Sequence, residues 1–387
     1  MISKMMLGSI QRELDDFFQE LFGRRVSRQE VTDAAFCKAR KKFKHSAFQD
    51  LNQVAVDHTY AESSCIERLN GYRVSAIDGS KLRLPEAPSI REYFGPPDKK
   101  VGEDGPPMAL VSQCYDVLNG IILDSAILPC RVGEREAARQ HLRFLGEDDL
   151  VLTDRGYAGF CFFQGILAPG ADFCCRAPVS WCNAVREFVA SGREQAIITL
   201  TPTADAKAEC AELGLPVEPL ELRAVRVELS SGESEVLLTS LRLEDLSVNF
   251  FTELYHLRWG CEEGYKHQKL PAEMENFSGK SVEAVKQDFY ARVFIVNLTA
   301  MLALPMHEEI KQRTANRELD YEINWTTALS KVRSCGLQLF LGEDIEELIT
   351  QLQEAMAEAV SPHRPGRSFE RRKKKSKGRF CMNFKRI

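Results

Sequence analysis

The pair Asn119-Gly120, set between the apolar runs "SQCYDVL" and "IILDSAILP", constrains the fold of this chain more than any other feature. Asn-Gly between two such runs is the strongest short-range hairpin signal, so two antiparallel strands are predicted on either side of it. Upstream, "YRVSAIDGSKLRLP" alternates polar and apolar residues and ends in turn chemistry, which predicts a strand leading into a loop at Asp78-Gly79. Downstream, "EREAARQHLRFL" reads as a helix and "DLVLTDRGYAG" as a buried strand breaking at Asp154 and Gly156. "FCFFQGILAPG" reads as a short helix, and "ADFCCRAP" as a further strand whose neighbours Cys174 and Cys175 point to opposite faces. The order strand, hairpin, helix, strand, helix, strand predicts an α/β core, a mixed sheet flanked by helices. Asp78 and Asp154 fall at the ends of apolar strands, and Asp116 and Asp124 read as solvated strand positions.

Helical patterns bracket this core. Ile10, Leu14, Phe17, Phe18, Leu21 and Phe22 recur at helical spacing, and Ser27 with Glu30 three residues on reads as the cap of a second helix bearing Lys38, Arg40, Lys41 and Lys42. Residues 1–68 therefore form a small helical unit with a basic edge, suited to DNA. Residues 177–240 add strand-like runs and read as a β-rich insertion, the last two joined by Ser-Gly-Glu-Ser. From 301 to 362 the chain is again helical, a candidate dimerisation region.

Charge is unevenly divided. Residues 363–387 hold eleven Lys or Arg against one acid, Glu370, a balance of +10; the total is −5, so the remainder carries −15. An acidic body with a basic tail suits a protein that holds a polyanion at one end. No stretch approaches the roughly 20 apolar residues of a membrane span, and the start turns acidic and amphipathic too soon for a secretory signal. The expected location is the cytoplasm, with the nucleoid. The twelve cysteines are scattered without a Cys-x-x-Cys pair, and read as reduced packing residues.

The segment "YHLRWGCEEGYKHQK", residues 255–269, reads as one amphipathic helix. At about 100° per residue, Tyr255, Arg258, Glu262, Lys266 and Lys269 gather within roughly 80° of one another, beside the stripe Phe250, Leu254, Leu257 and Cys261. One acid among several cations is an odd face for plain packing, though an i, i+4 pair of Arg258 and Glu262 on a solvated helix explains part of it. Two strand-end carboxylates and a third on a helix, 76 and 108 positions apart, can meet only through folding. Such an oxygen-only set favours Mg²⁺ or Mn²⁺ over zinc, and two such ions suit phosphodiester chemistry on a nucleic acid. Arg258 and Lys269 could then lie along a DNA backbone, with Tyr255 and Trp259 offering faces for a displaced base; Trp259 reads equally well as packing. His256 and His267 read as surface or backbone-contacting residues, since metal-activated water needs no histidine.

Here the chain resembles a known family. Tyr255-x2-Arg258-x3-Glu262-x6-Lys269 is similar to the Y-R-E-K signature of bacterial insertion-sequence transposases of the insertion-sequence-four family. "AIDGSKLRLP" and "LTDRGY" resemble the segments around that family's first and second catalytic aspartates, "PGRSFERRKKK" its basic C-terminal segment, and "SRQEVTDAAFCKARKKF" its N-terminal helical region. The resemblance implies an RNase H-like catalytic domain over residues 69–300 with its β-rich insertion. It makes Asp78, Asp154 and Glu262 the catalytic acids and ligands of two Mg²⁺ or Mn²⁺ ions. Glu262 is preferred over Glu263 because the latter turns away from Arg258 and Lys269. DNA contacts are expected from Tyr255, Arg258, Trp259, Lys266 and Lys269, and from the tail residues Arg371, Arg372, Lys373, Lys374 and Lys375. The implied activity is binding of terminal inverted repeats, cleavage, and transfer of 3′-hydroxyl ends into target DNA by a homodimer. Alternatives are a nuclease without strand transfer and an inactive or domesticated DNA-binding derivative. A glycosidase built on two of these carboxylates leaves the cations unexplained.

Overall fold

The computed structural model of the chain describes residues 9–95, 105–228, 234–241, 246–269 and 271–362. Arg371 to Lys375 and the turn Ser231-Gly232-Glu233 lie outside the described residues. The chain divides into two compact units. One comprises Met1–Ile66, Leu82–Ala109 and Tyr265–Ile387; the other comprises Glu67–Lys81 and Leu110–Gly264.

The second unit is organised on a sheet built from β1 (Arg73–Arg83), β2 (Met108–Asp116), β3 (Ile121–Pro129), β4 (Asp149–Thr153), β5 (Asp172–Ala177), β6 (Gln195–Leu200), β7 (Leu220–Glu228) and β8 (Ser234–Thr239). These eight strands run in the order β3-β2-β1-β4-β5-β8-β7-β6. The short link from β2 to β3 permits only an antiparallel pair. β1, β4 and β5 are parallel neighbours, with Ala76 opposite Leu152 and Leu152 opposite Cys174. β4, flanked by parallel strands, is buried along its whole length, which is why its sequence reads as an unbroken apolar run. The strands of the expected β-rich insertion are continuous with this sheet: β8 pairs antiparallel with β5, and β7 and β6 follow antiparallel. Two helices in the same stretch, α7 (Asn183–Ala190) and α8 (Ala204–Glu212), went unread because two turns are too short for a period to declare itself.

Several readings are corrected here. The Asn119-Gly120 turn forms, and Gly120 carries the positive φ of 70°. Asp116, expected in solvent, is fully buried: it accepts from the backbone N–H groups of Leu118 and Asn119 at 2.9 and 3.0 Å and from the Asn119 amide at 2.8 Å. Asp124 is not solvated either. It lies 2.7 Å from Nδ1 of His141, whose Nε2 lies 3.0 Å from the Ser112 hydroxyl. Ser112 and His141 are wholly inaccessible, so this Ser-His-Asp row ties β2 and β3 to the segment after α5 (Glu134–Arg139) and offers no substrate a path.

The first unit is mainly helical: α1 (Ile10–Leu21), α2 (Asp33–Arg40), α3 (Ser46–Glu62), α4 (Pro88–Phe94), α11 (Val282–Ala303), α12 (Met306–Thr314), α13 (Trp325–Ser334), α14 (Gly336–Leu341) and α15 (Ile345–Glu358), with the small pair β9 (Tyr321–Ile323) and β10 (Val360–Pro362). α2 is capped by Thr32, whose hydroxyl accepts from Ala35 N–H at 3.1 Å, and not by Ser27. The Gln11 side chain decides this, bonding the Val31 carbonyl at 3.0 Å and the Asp33 N–H at 2.9 Å and so holding the chain extended up to the cap. Arg40 leaves the expected basic edge: it is buried against α11, 2.8 Å from Asp288 and 2.6 Å from Ser278. α11 is buried on nearly every side, its polar Gln287, Asp288 and Asn297 included, and these are paired as buried polar groups must be. No single helix among the described residues is long and apolar enough to cross a membrane.

Candidate active site

The residues read as one helix form two, α9 (Val248–His256) and α10 (Trp259–Lys269). Between them the backbone tightens to i→i−3 bonds, from Leu257 N–H to Leu254, Arg258 to Tyr255, Gly260 to Leu257 and Cys261 to Arg258, at 2.9–3.1 Å. Such a 3₁₀ turn advances more per residue than an α-helix, so the even 100° projection fails at Arg258. Tyr255 and Arg258 nonetheless meet, with the guanidinium 5.8 Å from the ring centroid.

Arg258 organises the acids. Its Nη2 donates to Glu262 Oε1 at 3.1 Å and its Nη1 stands 4.0 Å from Asp78 Oδ2, with only 9% of its side chain exposed. Asp78 lies inside β1, not at its end: the strand runs on through Gly79 because Leu82 and Leu84 are buried beyond it. Its Oδ1 accepts from Gly79 N–H at 2.8 Å. Burial pushes the Asp78 carboxyl up to about 6; the Gly79 N–H and Arg258 pull it down, and the charges of Asp154 and Glu262 raise it. Asp154 and Glu262 are therefore each within electrostatic reach of Asp78. Asp154 follows β4, its Oδ1 accepting from Gly156 N–H at 2.8 Å. Burial lowers the pKa of Arg258, yet Tyr255, Glu262 and Asp78 raise it overall. The guanidinium stays charged.

What brings Glu262 to the sheet is a pair of glycines the sequence reading passed over. A methyl group on Gly260 would stand 3.2 Å from Val117 Cβ, and one on Gly264 would stand 2.9 Å from the Tyr115 ring. Cys261, between them, is fully buried with its sulfur 3.5 Å from the Gln113 amide. The i, i+4 spacing of Gly260 and Gly264 was the legible signal for this close approach.

The remaining expected residues divide. Trp259 is 55% exposed. The Tyr255 hydroxyl is buried without a hydrogen-bond partner among the described residues, and burial raises its pKa. Glu263 is exposed where Glu262 is half-buried. Lys266 and Lys269 belong to the first unit; Lys266 is exposed, and Lys269 is half-buried, 5.9 Å from the Tyr265 ring, its pKa lowered by burial against the pull of Glu275. His256 is exposed and His267 lies 4.9 Å from the Trp325 ring.

Among the described residues, no group of three or more His, Cys, Asp or Glu side chains stands close enough together to hold a metal ion. Asp78 and Glu262 flank the Arg258 guanidinium, which supplies the positive charge there. Their chemistry still fits a hard divalent cation: all donors are carboxylate oxygens, and Asp78 is raised as a buried acid among acids is, a state a cation reverses.

The transposase DDE domain model matches residues 69–298, more than half of the chain. The chain belongs to the transposase DDE domain family. All three acids and Arg258 lie within the matched span. No curated protein matches the chain. Among solved structures it is similar to a piggyBac transposase, seen by cryo-EM in a synaptic complex with hairpin DNA, with 10% identity and a TM-score of 0.40 over 76% of this chain. The match covers 59% of that piggyBac chain.

Proposed function

We propose that this DDE-domain chain is a DNA transposase of the insertion-sequence-four type. It would bind the terminal inverted repeats of a mobile element, cut phosphodiester bonds there and join the 3′-hydroxyl ends to target DNA. The observation that carries the reading is the Arg258 bridge between Asp78 and Glu262 inside a transposase domain. In a resting site the guanidinium neutralises acids that would otherwise repel one another. On this reading Asp78, Asp154 and Glu262 would hold two Mg²⁺ or Mn²⁺ ions, which when bound activate a water or hydroxyl and stabilise the leaving oxygen. Arg258 would then turn to a backbone phosphate, which its planar fork suits. Tyr255, Trp259, Lys266 and Lys269 are the proposed DNA contacts on the same segment, completing the Y-R-E-K set.

An RNase H-like core is supported by the order β3-β2-β1-β4-β5, with Asp78 on the central strand and Asp154 following its parallel neighbour. The N-terminal region 1–68 and the tail residues Arg371, Arg372, Lys373, Lys374 and Lys375 are proposed to grip DNA, with two copies of the chain pairing two element ends. The site of action would be the cytoplasm, on the nucleoid.

The test is nicking of a supercoiled plasmid carrying the DNA that flanks the gene, with Mn²⁺ or Mg²⁺. The unaltered chain should nick it, and Asp154→Asn or Glu262→Ala should abolish nicking while retention on DNA persists. Undiminished nicking by either variant removes the acid assignment. Joining of pre-cut ends separates a transposase from a nuclease that stops at cleavage.

A further inference from the structure

The acid site holds more than the three carboxylates and Arg258. Tyr157, three residues after Asp154, is 1% exposed, and its hydroxyl has no hydrogen-bond partner among the described residues. Burial pushes its pKa far up, and the charges of Asp78, Glu134 and Asp154, all within electrostatic reach of the hydroxyl, add to the rise. Its backbone N–H is fixed to the Asp154 carbonyl at 3.1 Å and its ring packs on Phe162 at 5.8 Å, so the phenol is held in this direction.

Glu134 is independently located. It opens α5, and a methyl group built on Gly79 would stand 3.3 Å from Glu134 Cγ and 3.4 Å from its carboxyl carbon. Its carboxyl group therefore lies against the peptide whose N–H donates to Asp78. Acids from β1, from the start of α5 and from the turn after β4 thus neighbour one buried phenol.

Leaving a buried hydroxyl unpaired is costly, and a core selected only for packing would carry phenylalanine there. Carboxylates that hold cations are themselves steadied by hydrogen-bond donors behind them. We propose that Tyr157 and Glu134 complete the acid site, Glu134 as a fourth carboxylate beside Asp78 and Tyr157 as the positioning donor that steadies the Asp78 and Asp154 carboxylates when a divalent cation is held. This rests on the transposase reading above.

The test uses the full chain, with Tyr157→Phe, Glu134→Gln and Asp154→Asn, and Mn²⁺ as the probe. Two quantities are read: the melting temperature in chelator, and the Mn²⁺ concentration giving half of the maximal rise in melting temperature, with plasmid nicking alongside. Tyr157→Phe should melt no lower than the unaltered chain in chelator, because it deletes an unpaired group. Its Mn²⁺ midpoint should rise by about tenfold or more, the usual effect of losing a donor behind metal ligands. Glu134→Gln should melt higher in chelator, with acid repulsion relieved, and should also need more Mn²⁺. An unchanged Mn²⁺ midpoint in Tyr157→Phe overturns the inference, as does a lower melting temperature in chelator, which would make the hydroxyl a structural group. If Asp154→Asn abolishes the Mn²⁺ response and Tyr157→Phe leaves it intact, the inference fails and the transposase reading stands. If Asp154→Asn also responds normally, or the unaltered chain does not respond, both fail.

Discussion

Asp78 carries the clearest tension in the molecule. It is a carboxyl with 22% of its side chain exposed, flanked by the acids Asp154 and Glu262, with the Arg258 guanidinium and the Gly79 N–H among the groups that steady it. A pKa of about 6 against an ordinary 3.8 means that the folded chain binds this proton more tightly than the unfolded chain does. Stability therefore falls as pH rises from about 4 to about 6, and above that range the charged Asp78 costs about 3 kcal/mol, at 1.36 kcal/mol per pH unit. In chelator, melting temperature measured between pH 4 and pH 7 should decline more for the unaltered chain than for Asp78→Asn, which mimics the protonated acid. Parallel curves would mean that Asp78 titrates normally. The residue types at this site were legible, since Asp154 stands out as an acid at a strand end and Glu262 as one on a cationic segment, while Asp78 was legible as an acid on the right strand but not at its true place inside it. Their environment was not: whether Asp116 or Asp78 is the buried acid, and whether Arg40 or Arg258 pairs with a carboxylate, depends on neighbours more than a hundred positions away in some cases.

At the scale of the element, the two helices α9 and α10 show why an even angular projection misleads. Of the expected stripe, Leu254 and Cys261 are buried but Phe250 and Leu257 only partly so, and Phe251 fills the core in place of Phe250; the 3₁₀ turn at Leu257–Arg258 changes the phase between the two helices. The turn lets α9 and α10 each meet their own contacts while Arg258 reaches both Asp78 and Glu262. Close approach of α10 to β2 depends on glycine. Gly264→Ala would drive a methyl group to 2.9 Å from the Tyr115 ring, an overpacking expected to cost about 1–3 kcal/mol. The melting temperature should drop, nicking should weaken as Glu262 shifts, and combining the change with Tyr115→Leu should restore much of the stability. A Gly264→Ala chain that melts and nicks like the parent would show that α10 can move freely. Short elements such as α7 and α8 escaped notice for a related reason: an eight-residue pattern fits several periods, and burial of Val185 and Phe188 is decided by the sheet they cover.

On the scale of the whole molecule, each unit is assembled from distant stretches of chain. In the first unit the N-terminal helices are bound to α11 by Arg40 with Asp288 and Gln287, and by Asn52 with Asn297 at 2.8 Å. Both ends of the Arg40–Asp288 pair are nearly inaccessible, with side chains 6% and 4% exposed. Removing one partner of a buried pair leaves the other charge uncompensated, so Arg40→Ala should cost about 3–5 kcal/mol, read as a lower urea midpoint; a change below about 1 kcal/mol would mean that water repairs the gap. By itself the sequence determined the alternation of strands and helices around Asn119-Gly120, the wholly buried β4 and the acids and cations from which a site could be made. Those follow from local rules, in which turn residues and apolar periods act over a few positions. Tertiary structure alone decided that the strands of the β-rich stretch 177–240 join the main sheet, that Arg40 is core and Arg258 is the bridge, and that Tyr157 and Glu134 neighbour Asp78. Burial and pairing between residues remote in the chain set these outcomes, because the cost of an unpaired charge or hydroxyl depends on what surrounds it once folded.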